Sequence, residues 1–139
     1  MSGATFAGSY ASATPLRERV VLYGGADALW SGFVDDLWAW DGQVWTNICE
    51  DCTGLPRVLA PLVYDPLSGR LVMTGGWNGT ENDGTWEYDA EGFQRMSERP
   101  GPRDSAGMTY DSNRDVILQY GGNGPSCSGD CSETLEYER

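Results

Sequence analysis

The stretch Pro56–Phe93, PRVLAPLVYDPLSGRLVMTGGWNGTENDGTWEYDAEGF, decides how the rest of the chain reads. In it Pro56-Arg57 is followed eight residues later by Tyr64-Asp65, and eleven residues after Tyr64 by Gly75-Gly76. The run entering the glycine pair, Leu71-Val72-Met73-Thr74, is apolar and strand-like. Past a polar loop, Trp86 and Tyr88 stand two positions apart, and Phe93 follows five residues later. Working outward, the same order returns downstream as Pro102-Arg103, Tyr110-Asp111, Val116–Tyr120, Gly121-Gly122 and Thr134–Tyr137. Upstream it returns as Val20–Tyr23, Gly24-Gly25, Trp38 with Trp40, and Trp45. The glycine pairs lie 51 and 46 residues apart, the period of a repeat architecture.

Each repeat reads as four short strands. The first precedes Tyr-Asp, the second ends in Gly-Gly, the third carries the paired aromatics and the fourth begins at Trp45 or Phe93. Pro66 with Ser68-Gly69, and Ser112-Asn113, supply turn chemistry between first and second strands. No segment sustains a 3.6-residue apolar period, so the expected class is all-β with minimal helix. The repeats divide the chain at about 6–54, 55–101 and 102–139. Aromatics two positions apart point to one side of a strand, so each pair is expected to pack against the next repeat. The pairs Gly24-Gly25, Gly75-Gly76 and Gly121-Gly122 read as structural glycines at strand ends. They are not phosphate loops, since no helix and no lysine follow.

This combination resembles the kelch repeat and covers the chain from about Phe6 to Arg139. The resemblance implies a β-propeller of four-stranded antiparallel blades, here three per chain with the third incomplete. The pattern departs from the family at two points: Ala60 and Ala106 stand where kelch repeats often carry histidine, and the first repeat has Phe6 and Ala13-Thr14 in place of Arg and Tyr-Asp. Some kelch propellers are copper oxidases with His and Tyr ligands, and others bind iron through His. With no histidine here, neither activity carries over, and no metal or cofactor is expected. Propellers typically hold about four to eight blades, so three leave two apolar flanks open. The expected remedy is self-association, most simply a two-chain, six-bladed ring, with Met1–Thr5 of a neighbour one source for the third blade's last strand. The rival reading is a fragment of a longer kelch protein or enzyme.

The 139 residues include nineteen Gly, six Trp and seven Tyr, with twenty-one acidic groups against nine basic ones, a net charge of −12. All nine basic residues are arginine. So acidic a surface repels phosphate backbones, which argues against a nucleic-acid partner. No apolar run approaches the roughly 18 residues of a membrane-spanning helix, so no membrane partner is expected. Cysteines fall in two tight pairs, Cys49 with Cys52 and Cys127 with Cys131. Disulfides, within the pairs or between them, are the leading reading; a four-cysteine zinc site and free thiols are the alternatives. Disulfides favour an extracellular or periplasmic location, although residues 1–10 read as no signal peptide.

Candidate ligand-binding residues cluster in the loops after the glycine pairs: Trp30, Asp35, Trp77, Asn78, Glu81 and Asp83. Exposed tryptophan beside Asn and carboxylates suits sugar rings or a cationic peptide. The competing reading folds Trp30 and Trp77 back as loop plugs. Asp35-Asp36, Glu81 with Asp83, and Asp130 with Glu133 could serve a glycosidase or a calcium site, yet none has calcium-loop spacing, and solvated acidic loops are the simpler reading. No catalytic constellation is recognised. The expected role is a non-catalytic binding and assembly scaffold, with a carbohydrate-binding propeller as the alternative and a protein or glycan as ligand.

Overall fold

A computed structural model describes residues 12–16, 19–27, 32–49, 56–89, 91–97 and 100–137. Three antiparallel sheets follow one another along the chain. The first comprises β1 (Ser12–Leu16), β2 (Arg19–Ala26), β3 (Phe33–Trp40) and β4 (Trp45–Cys49), hydrogen-bonded in that order. The second repeats the meander with β5 (Leu62–Asp65), β6 (Arg70–Thr74), β7 (Thr85–Asp89) and β8 (Gly92–Ser97). The third has β9 (Gly107–Asp111) and β10 (Val116–Tyr120), then a small hairpin of β11 (Asn123–Gly124) and β12 (Gly129–Asp130), and finally β13 (Thr134–Tyr137), in the order β13-β10-β9. A single 3-10 turn, Pro125–Cys127, is the only helical element among the described residues. The chain is therefore all-β, as its periodicity predicts, and none of the sheets closes on itself.

The Tyr-Asp and aromatic-Asp pairs end strands for a local reason. Asp65, fully buried, accepts from the Leu67 amide at 3.0 Å and the Ser68 hydroxyl at 2.8 Å. Asp111 accepts from the amides of Asn113 at 2.9 Å and Arg114 at 3.3 Å. Asp41 takes the amides of Gln43 and Val44 at 2.8 and 2.9 Å, and those bonds hold its carboxyl below the ordinary value of 3.8. Each carboxylate satisfies turn amides that the strands leave open.

Alternation along the strands makes the middle sheet two-faced. Leu62, Leu71 and Met73, with Trp86, Tyr88 and Phe93, pack against Val21, Tyr23 and Leu37 of the first sheet. Val63 and Val72 face the other way, onto Ile117, Met108, Tyr110 and Tyr137 of the third. The innermost strands also meet in sequence, β1 against β5 and β5 against β9.

Some local expectations need correction. Gly24-Gly25 lies inside β2 rather than at its end, and the register shifts there between Tyr23 and Gly25. Phe33 and Asp35 belong to β3, not to the preceding loop, because β3 runs eight residues and opposes the extended β2. Trp86 and Tyr88 do share one side, but it faces the preceding sheet, since the next position along, Glu87, points to the third. Met1–Thr5 and Phe6 lie outside the described residues.

Candidate functional site

The loops after the glycine pairs meet the loops that lead into the following sheet. Val58 and Trp77 exchange backbone hydrogen bonds of 2.9 and 2.8 Å, and Asp104 and Asn123 do the same at 2.9 and 2.8 Å. Trp77 is half-buried, and its ring stands edge-on to Phe33 with centroids 5.4 Å apart. Its backbone also bridges to Glu81. Asn78 is exposed on the tip of the same loop. Asp83 is held by Arg95 of β8 at 2.8 Å, which draws it away from the tip. Asp35 is half-buried on β3. The structure thus gathers Trp77, Asn78 and Glu81 in one loop beside Phe33 and assigns Asp83 to an ion pair. Trp30 lies outside the described residues. Among those residues no three Cys, Asp or Glu side chains converge as a metal site.

Cys127 and Cys131 form a disulfide across the third sheet's hairpin turn, with α-carbons 5.3 Å apart. Cys49 is disulfide-bonded at the end of β4, and Cys52 lies outside the described residues.

The recurrent arginine ties one sheet to the next. Arg57, buried, donates from its guanidinium to the Gly75 carbonyl at 2.7 Å, while its own backbone carbonyl accepts from the Gly25 amide at 3.2 Å. Arg103 repeats the arrangement, donating to the Gly121 carbonyl at 3.4 Å and accepting from the Gly76 amide at 2.9 Å. The first glycine of each pair must lack a side chain for this clip to close. Gly24 and Gly75 have φ of +69° and +58°, and a Cβ on either would collide with the carbonyl oxygen of Arg57 or Arg103. Gly121 has the same backbone, φ +72°, but the nearest atom to its would-be Cβ is the Cys131 carbonyl at 3.4 Å. Burial holds the Arg57 guanidinium below its ordinary pKa, and the Trp86 ring lies 5.7 Å from it, with Arg95 at 5.8 Å.

The outer faces of the two terminal sheets carry the remaining apolar surface. Opposite the core side of the first sheet are Val20, Leu22, Trp38 and Trp40. Trp40 meets Trp45 at 5.4 Å, and Val20 is 38% exposed. By register these positions match Leu71, Met73, Trp86, Tyr88 and Phe93, the set through which the second sheet docks onto the first. The third sheet's outer face carries Leu118 and Tyr120, the latter 59% exposed, in the positions of Val21 and Tyr23. The paired aromatics made the first face legible in sequence. A latch that sequence reasoning missed lies between the second and third sheets. There the Tyr137 hydroxyl donates to Glu87 at 2.5 Å, and Arg70 donates to the other Glu87 oxygen at 2.6 Å. Only the heptapeptide-scale spacing of Glu87 between two aromatics hinted that its side chain points away from them.

No family model and no curated protein matches the sequence. Among solved structures the chain is similar in fold to that titled "Structure of YjhT", with a TM-score of 0.75 over 96% of this chain at 11% identity. The chain spans 44% of the length of that protein.

Proposed function

We propose that the chain is a kelch-type propeller segment, a non-catalytic binding and assembly scaffold that closes its ring by pairing with a second copy. The three sheets are then successive blades, arranged about β1, β5 and β9. The observation that carries the reading is the first sheet's outer face. Its Val20, Leu22, Trp38, Trp40 and Trp45 occupy the positions that bury Leu71, Met73, Trp86, Tyr88 and Phe93 at the internal junction. A surface built like an interior junction favours association. Gly121 supports the same view. It keeps the conformation of Gly24 and Gly75 although no following arginine stands beside it among the described residues. The similar fold of YjhT, more than twice as long, is in keeping with a unit that needs further sheets.

Two chains bring six such sheets. The contact is head to tail: the Trp40 face of one copy receives the Leu118 and Tyr120 face of the other, twice, about one two-fold axis. Light scattering at micromolar concentration tests this. The expected mass is twice the 15.2 kDa of one chain, and Trp40→Asp is expected to return the particle to one chain while β-rich circular dichroism persists. A compact wild-type monomer would overturn the reading.

A further inference from the structure

The two junctions between sheets are not filled alike. At the first, the Phe93 ring lies 5.1 Å from both Tyr23 and Tyr88 and seals the space between β2 and β7. At the second, register places Thr74 where Tyr23 stands, Thr85 for Leu37, Leu135 for Trp86 and Tyr137 for Tyr88. Three of these four are smaller. Phe93 itself has no counterpart among the described residues, because it belongs to a fourth strand and the third sheet has three. The consequence is a cavity of about 790 Å³ beside β13, lined by Thr74, Thr85, Leu135 and Tyr137, with Met96 and Ser97 of β8 opposite. Two buried donors line it as well. Gln119 is 5% exposed with its Nε2 unpartnered, and Arg103 is 3% exposed with its Nε unpartnered. Stable dry cavities are apolar, and buried N–H groups left open cost about 1–3 kcal/mol each. A cavity of this polarity is built to be occupied. Its outer border is the edge of β13, which pairs with β10 on one side only among the described residues.

We infer that this edge and cavity form a slot for an extended peptide strand from a separate chain. The strand carries an aromatic residue opposite Tyr137 and an arginine two positions on, opposite Leu135. The register is that of the second sheet, where Tyr88 opposes Phe93 and Trp86 opposes Arg95. The incoming backbone extends the third sheet, and its aromatic side chain enters the space beside Thr74 and Tyr137. Glu133 and Glu136, on the same border, favour the arginine. This slot lies at a strand edge, not on the outer sheet faces that the ring would use, so it does not depend on ring closure.

The test uses the full chain and a fluorescent peptide copying Glu91–Ser97, EGFQRMS. Expected are saturable binding, a weakening of roughly tenfold or more for the Phe93→Ala peptide, and peptide-induced hydrogen-exchange protection confined to Thr134–Tyr137. Protection at β4 or β8 instead, equal binding of both peptides, or no binding by folded protein would each overturn the slot. Particle mass measured on the same samples keeps the two readings apart. A two-chain particle that ignores the peptide leaves the ring and removes the slot, and a single chain that binds it does the reverse.

Discussion

The clip formed by each arginine and two glycines explains why a glycine doublet recurs where an ordinary strand would carry side chains. Gly75 faces the Arg103 carbonyl across the sheet junction at φ +58°, so Gly75→Ala adds steric overlap to an unfavourable backbone. It is expected to cost about 2–4 kcal/mol, read from urea unfolding. Gly121→Ala meets only the Cys131 carbonyl within one chain and is expected to cost about 1 kcal/mol, yet to abolish pairing, because a partner's carbonyl belongs there. Equal effects of the two substitutions on unfolding and mass would contradict this account. The doublets and the arginine were legible in the sequence because they repeat. Glu87, Tyr137 and Gln119 were not, since each is a single polar residue at a position that is apolar in another repeat, and only the junction shows its partner or lack of one.

The Tyr137 latch also predicts a pH response. Burial, then the hydrogen bond to Glu87, raises the phenol above its ordinary value of 10.0. The unfolded chain releases that proton first as pH rises. The latch's contribution is therefore complete below pH 10.0 and lost as pH climbs through the raised value. Tyr137→Phe is expected to lower stability by about 1–3 kcal/mol at neutral pH and to flatten the alkaline loss, as followed by unfolding midpoints across the alkaline range.

At the scale of elements, the middle sheet is the keystone because both its faces are covered. Met73 is fully buried on one face, so Met73→Ala is expected to cost about 2–5 kcal/mol in chemical denaturation. A cost below about 1 kcal/mol would mean that the first junction is looser than its packing indicates. Strand identity and order could be read from alternation and turn residues, which act locally. The direction in which each aromatic pair packs could not, because alternation fixes which side chains share a face but not which neighbour covers it. The hairpin after Gly121-Gly122 escaped notice for a related reason: β11 and β12 are two residues each, too short for any periodic signal, and the Cys127–Cys131 disulfide bridges their turn. Asp35, expected in a loop, sits in a strand because β2 continues past its glycines and offers β3 more backbone to pair with.

For the whole molecule, charge and apolar surface act in opposition. Each chain carries −12, so pairing is expected to strengthen as salt rises from low to physiological strength, the reverse of an interface held by ion pairs. Sedimentation at two salt concentrations reads the direction. The acidic surface excluded nucleic acid as an expected partner, while nothing in composition could indicate how many copies share a ring. That number depends on the curvature set by β1 against β5 and β5 against β9. The most direct test of the central proposal is a crystal structure of the assembled particle. The account predicts six sheets about one axis, with the Trp40 face of each copy seated on the Leu118 and Tyr120 face of the other. An isolated three-sheet arc, or two copies joined Trp40 face to Trp40 face, would contradict it.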